Sequence, residues 1–414
     1  MKTLGSMIIA VSLLSSTGLF AYDTYSVTNG LDIPDQVGTG LVLPGEHRMA
    51  YVKNQDKDGY VYVSGYAMEG DPRTQSIWRI AASAPAAGSD GAWEFVLGGI
   101  CPNDGGGEDG EVWVKLNDTF YNTFWGGTSG DDRDWGFHTW YATNSAGQPA
   151  VGATAVNPKE PVHWKGTQGW PDCGQNVAII QRTSVDELVY AGIHRYTDST
   201  LDDLEVKRIT LNGGNHDVTT VWGTYLSTNS DNYSSVIYDG GQAGRLFAVF
   251  SRNATNPDNA IYCVTNVNQL AGGSPVAQTP FKLIDLPGNS SETRPVDLEV
   301  VDLSQSPALG GGTLVAVAVV TDDSGDVRGV FMFNADQPQL GLQDITPSEG
   351  VGAYRGRLGS SGSKLFTDTY DSILYGTDVK TEFPTQLAAL GFAVPEPACT
   401  VLALCGLLLL RRRR

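Results

Sequence analysis

Apolar and polar residues alternate along most of the chain in short runs separated by turn-forming residues, the pattern of half-buried strands. The runs recur as one unit: strand, short polar turn, strongly apolar strand, longer loop, strand, Gly-rich turn, strand. The first clear copy runs from Arg48 to Val52, turns at Asp56 to Gly59, and continues through Tyr60–Gly65, Ile77–Ile80 and Trp93–Leu97. Further copies begin at Asn176, Val236, Leu298 and Tyr354, and a blurred one spans Trp113 to Trp164. Second strands start at Tyr60, Leu188, Leu246, Leu314 and Leu365. Their spacing is roughly 50–70 residues, with a first gap about twice as long, and a recurrence of that kind marks a repeat architecture. The expectation is all-β: a β-propeller of six four-stranded blades over residues 45–390, with β-sandwich domains as the alternative. The apolar run from Leu314 to Val320 suits a strand buried on both faces between neighbouring sheets. The last copy lacks a fourth strand, and residues 22–44 have no unit of their own. A strand at Thr24–Val27 or Leu41–Leu43 would join the last sheet and close the ring, removing an open edge.

Composition narrows the class. Fifty glycines against five methionines favour turns and strands over helices. The formal charge of −19 is the wrong sign for a nucleic-acid partner or for adsorption to anionic lipid. Of the five cysteines, only Cys101, Cys173 and Cys263 lie in the body, so one intramolecular bridge at most is expected there, with one thiol left over. No CxxC spacing suggests structural zinc.

The two ends carry addresses. Lys2 followed by the apolar run Met7–Leu14 reads as a signal peptide over residues 1–21, cut after Ala21 despite Leu19 at a position that favours a small residue. At the other end stand Val394, Pro395, Glu396 and Pro397, an apolar run Ala398–Leu410, and Arg411, Arg412, Arg413 and Arg414. The prolines hold an extended, accessible peptide beside the hydrophobic segment. The arginines hold its far end on the cytoplasmic side. The apolar run is shorter than the roughly 20 residues a spanning helix needs, which suits a processing signal. Residues 394–414 resemble the PEP-CTERM sorting tail of Gram-negative bacteria. The resemblance implies an exosortase-type processing enzyme as partner, a transient inner-membrane tether, and delivery to the cell surface or extracellular matrix.

The body offers candidate chemistry but no catalytic motif. Asn54, Asp56 and Asp58, followed by Gly59, resemble a calcium loop in which alternate oxygens converge on Ca2+. The later ligand positions fall on Tyr62 and Gly65, so the set is incomplete, and a polar hairpin turn explains the same residues. Acidic loops recur at Asp131–Asp134, Asp198–Asp203 and Asp322–Asp326. Six of the nine tryptophans lie between Trp113 and Trp170. Within that stretch Trp125, Trp135 and Trp140 form a candidate saccharide platform, and core packing is the alternative. No HExxH or GxSxG arrangement occurs. Gly105, Gly107 and Gly110 sit beside Glu108 and Asp109, which would repel a phosphate. A carboxylate pair for glycoside hydrolysis stays open among so many acids. From sequence the expectation is an exported, non-enzymatic binding or structural scaffold without a cofactor other than Ca2+. The alternatives are a secreted carbohydrate-active propeller enzyme acting on polysaccharide, and a calcium-stabilised adhesion module.

Overall fold

The computed structural model describes strands, turns and short helices between residues 23 and 393. Residues 1–22, 27–46 and 394–414 lie outside the described residues, as do most long loops, including 101–112, 128–132, 142–152, 165–176, 194–203, 251–259 and 322–328. The signal peptide, the sorting tail and the acidic loops at Asp131–Asp132, Asp198–Asp203 and Asp322–Asp326 therefore fall outside the description.

Strands dominate. After β1 (Asp23–Ser26), the first part of the body contributes β2 (His47–Asn54), β3 (Tyr60–Ala67), β4 (Gln75–Ala81) and β5 (Glu94–Ile100). There follow β6 (Trp113–Leu116), β7 (Thr119–Gly127), β8 (Arg133–Tyr141), β9 (Ala153–Thr154) and β10 (Val162–Trp164). Three antiparallel four-strand units come next. They are β11 (Val177–Ser184), β12 (Glu187–Ile193), β13 (Leu204–Asn212) and β14 (Asn215–Thr224); β15 (Ser234–Tyr238), β16 (Arg245–Phe250), β17 (Ala260–Thr265) and β18 (Phe281–Asp285); and β19 (Thr293–Val301), β20 (Leu314–Thr321), β21 (Gly329–Asn334) and β22 (Gln343–Asp344). The final sheet contains β23 (Tyr354–Ser361), β24 (Lys364–Thr369) and β25 (Ile373–Asp378), and β1 pairs antiparallel with β25, Asp23 facing Gly376. Among the described residues three short α-helices accompany them: α1 (Val267–Ala271), α2 (Val379–Glu382) and α3 (Pro384–Ala389).

The architecture is a β-propeller built from five sheets rather than the six separate blades expected. The reason is local. β2 pairs in parallel with β6, Val52 opposite Trp113 and Lys53 opposite Val114, so two would-be blades share one nine-stranded ladder. The strands that begin each group adjoin in order, β2 to β6, β11, β15, β19 and β23, and β23 returns to β2. The chain thus closes on itself, with N-terminal β1 completing the C-terminal sheet.

β20 shows why the sheets hold together. Leu314 and Ala316 pack in one apolar cluster with Leu358, Leu365 and Phe383, while Val315, Val317 and Val319 pack in another with Phe247, Ile261 and Leu298. Alternate residues therefore serve opposite faces, both buried, as the unbroken apolar run predicts. Full burial of each such Leu or Val contributes roughly 1.5–3 kcal/mol. Among the described residues no helix is long and apolar enough to cross a membrane.

Candidate functional site

In the four-stranded sheets β11, β15, β19 and β23 each stand at a sheet edge, with one side not paired within their own sheet. Backbone groups on that side need partners, and buried side chains supply them. Lys53, near the end of β2, places Nζ 2.8 Å from Asp297 Oδ2 and 3.3 Å from Glu299 Oε2 on β19. The same ammonium donates to the carbonyls of Leu298, at 2.9 Å, and Leu358 on β23, at 2.8 Å. Asp297 accepts from its neighbour's amide Leu298 N, from Leu358 N, and from the Ser235 hydroxyl on β15 at 2.9 Å. Glu299 accepts from the Ser360 hydroxyl at 2.9 Å and lies 3.6 Å from Lys57 Nζ.

Local sequence explains this convergence. Asp297 and Glu299 are two residues apart on one strand and so share a face. A register shift between Pro295 and Asp297, where the β19–β20 ladder slips by a residue, re-aims the strand at this point. Lys57 holds a left-handed backbone, φ 53°, in the β2–β3 turn, and its ammonium reaches Val300 O at 3.2 Å. The four charges are two against two. The carboxylates are 2–3% exposed and Lys53 is buried with them, while Lys57 closes the cluster from its 30% exposed side, so the charges balance in a tie among β2, β15, β19 and β23. Each carboxylate is occupied by several donors, which suits a structural role better than proton transfer.

A second cluster sits beside it. The structure brings Asn54, Asp56 and Asp58 together, and gives their oxygens to protein donors. The Asn54 amide donates to Asp58 Oδ1 at 2.7 Å, and Asn54 Oδ1 accepts from the Asp56 amide at 3.2 Å. The Tyr62 hydroxyl donates to Asp58 Oδ2 at 2.7 Å. Lys115 on β6, opposite Asn54 in the parallel ladder, places its ammonium 3.0 Å from Asp58 Oδ2 and in contact with Asp56. A lysine thus stands between the two carboxylates that were candidates for Ca2+. Among the described residues no group of three or more His, Cys, Asp or Glu side chains is placed to hold a metal ion. Burial pushes the Asp58 carboxyl up, but the Tyr62 hydroxyl, the Lys115 ammonium and the Asn54 amide outweigh it and hold the group below its ordinary value. Burial opposes the charge on Lys115 as well, and Asp56 and Asp58 more than restore it. Gln55 completes the turn by pairing both ways with the backbone of Ile179 on β11, at 2.7 and 3.0 Å.

The candidate aromatic platform lies on the hairpin β7–β8. Its register sets Trp125 opposite Trp135 and Phe120 opposite Trp140. The side chains of the three tryptophans lie outside the described residues, whereas Phe120 is buried against Tyr62, ring centroids 5.6 Å apart. Pro395, Glu396, Pro397 and Arg411–Arg414 also lie outside the described residues.

Sequence reasoning missed Lys53, Lys115, Asp297, Glu299, Ser235 and Ser360. The signal was present in part: a lysine ending the apolar Ala50–Val52 run, and two acids at alternate positions in the otherwise apolar strand 295–301. Nothing in sequence says that these charges meet across more than 240 residues.

No family model matches the chain, and no curated protein matches it. Solved structures do. An α-L-arabinofuranosidase from Fusarium graminearum matches over 88% of this chain and 98% of its own, at 10% identity and TM-score 0.46. An α-L-arabinanase from Penicillium chrysogenum, solved with arabinobiose, matches over 87% and 97%, at 10% identity and TM-score 0.46. A xylan β-1,4-xylosidase from Bacillus halodurans matches over 70% of this chain and 53% of its own, at 12% identity and TM-score 0.39. At these identities the likeness is one of fold. These matches are to enzymes, so the expectation of a non-enzymatic scaffold does not stand, and the carbohydrate-active alternative is left as a proposal. The physical reason is that a missing linear motif excludes little in a propeller. Its chemistry is assembled from separate strands, as Lys53 and Asp297 meet across 244 residues of chain.

Proposed function

We propose that this protein is an exported carbohydrate-active β-propeller enzyme that hydrolyses a polysaccharide. The observation that carries the reading is the β7–β8 hairpin. In its backbone register Trp125 stands opposite Trp135, within an acidic body, whereas Phe120, opposite Trp140, belongs to the buried core. A cross-strand pair of tryptophan positions suits stacking against the apolar faces of sugar rings. The acid and second carboxylate of a hydrolase would come from the many acids in the loops rather than from the saturated Asp297 and Glu299. Arabinan and xylan, the polymers of the enzymes with the same fold, are the first substrates to assay. Residues 22–393 should release reducing sugar from one of a panel of arabinans, xylans and related polymers, and Trp125→Ala with Trp135→Ala should weaken retention on it. A folded protein that neither cleaves nor binds any member of the panel refutes the reading.

The export reading belongs with it. The signal peptide and PEP-CTERM-like tail deliver the chain across the inner membrane, hold it there, and present Pro395–Pro397 to an exosortase-type enzyme. Its release at the cell surface requires loss of the arginine cluster. Intact mass of the surface-released protein with Arg411–Arg414 still attached would refute it.

A further inference from the structure

The C-terminal part of the described chain is clasped to the propeller. Phe383, Leu387, Leu390 and Phe392 are buried in the same cluster as Leu314 and Met332. The Asn334 side-chain amide donates to Leu390 O at 2.9 Å, and Phe392 N donates to Leu387 O at 3.0 Å. The Phe392 ring also closes on Gly312, where an added Cβ would lie 3.0 Å from the ring. The path is therefore anchored as far as Phe392. In the sequence the apolar run begins at Ala398, a step from Ala393 that spans at most about 18 Å when fully extended. No spacer separates the body from the tail.

The surface at this exit is unusual. Among the described residues the exposed large hydrophobics are Phe281, 45% exposed, and Leu340, 38% exposed. They lie on contacting elements: the 3-10 turn Pro338–Leu340 contacts β18, which Phe281 opens. Leu340 also borders the exit, since a Cβ built on Gly391 would lie 3.0 Å from Leu340 Cδ1. Single exposed apolar residues are ordinary. Two on contacting elements, beside the point where a short tether leaves for an apolar segment, mark a face with a partner.

We infer that this exit face is the membrane-contacting surface of the tethered precursor, with Leu340 and Phe281 resting in the lipid interface and the clasp holding the propeller flush against it. The inference rests on reading residues 394–414 as a membrane tether. The partner is a phospholipid surface rich in zwitterionic headgroups, because the acidic body disfavours a strongly anionic one.

The test uses the full chain with an environment-sensitive fluorescent amino acid at position 340, 281 or 285, reconstituted into phosphatidylethanolamine-rich vesicles containing brominated lipid. Asp285 ends the same strand, about 13 Å from Phe281 by strand rise, and is highly exposed. Flotation with the vesicles reports the tether separately from the contact. Bromolipid quenching at 340 and 281 should exceed that at 285 several-fold. A Gly/Ser spacer of about 20 residues between Ala393 and Val394, with a mean reach of about 25 Å, should abolish that difference while flotation persists. Flotation with equal quenching at all three positions overturns the contact and leaves the tether standing. A blue shift at 340 that bromolipid does not quench assigns the patch to the chain's own apolar run, and overturns it too. Failure to float refutes the tether reading beneath both.

Discussion

Replacing Lys53 by methionine keeps most of the side chain's length and removes one ammonium from a site that water does not reach. Four acceptors lose their donor at once: Asp297 at 2.8 Å, Glu299 at 3.3 Å, and the carbonyls of Leu298 and Leu358 at 2.9 and 2.8 Å. Asp297 retains Ser235 and two backbone amides, and Glu299 retains Ser360 and Lys57, so neither carboxylate is wholly abandoned. Breaking a buried pair by removing one partner costs about 3–5 kcal/mol, largely from the uncompensated charge left behind. The surviving donors argue for the lower half of that range, about 3–4 kcal/mol. Guanidinium unfolding followed by circular dichroism reads this as a lower midpoint with an unchanged slope. Removing both carboxylate charges as well, in the triple variant K53M/D297N/E299Q, should recover at least half of the loss, because the buried charges go together and Lys57, the one left, is 30% exposed. Two results would refute the reasoning: K53M within about 1 kcal/mol of the parent, or a triple variant as unstable as the summed single variants.

The second cluster predicts a pH dependence. Asp58 is held below its ordinary 3.8, so its contribution is present above that pH and is lost as pH falls through the lower folded value. Lys115 is held above 10.5, so its contribution is present below that pH and is lost as pH rises through the higher folded value. Lys115→Met should therefore cost about 1–3 kcal/mol at neutral pH, with the gap in melting temperature to the parent narrowing at both extremes; a constant gap from acid to alkali counts against it. Gly244 has φ +68°, and an added Cβ would lie 2.6 Å from Asn268 Oδ1 and 2.8 Å from Tyr238 Cε2. Gly244→Ala should thus lose about 2–3 kcal/mol, against about 1 kcal/mol for Gly59→Ala, where φ is +88° but the space is open; equal losses in chemical unfolding would contradict the steric part. Burial, opposed by nearby Arg245, pushes the Cys263 thiol up to about 12, and the side chain is 1% exposed. It should resist a thiol reagent at pH 8 in the native state and react on unfolding, as a labelled-peptide map would show.

Local pattern alone determined the strands, because alternation reports which side of a pleated chain meets water. It placed the apolar Leu314–Val320 run between two sheets, and β20 is buried on both faces. It located the second strands of five units, since each needs the same turn chemistry and the same apolar partner. It did not reveal that β2 and β6 share a parallel ladder, which merges two expected blades into one nine-stranded sheet. Ladder pairing between distant strands depends on where their edges meet in space. The Asn54-x-Asp56-x-Asp58 spacing read as an incomplete cation loop and better as a hairpin turn, and the tertiary structure set Lys115 of another strand against its carboxylates. Lys53, Asp297 and Glu299 were visible only as odd charges within apolar strands. Their meaning came from the closed ring, which buries the edges of β19 and β23 and requires donors and acceptors to satisfy them. A sequence records each residue's preference for water or for the interior, whereas the partner of a buried charge is decided by what the folded chain brings within 3 Å of it.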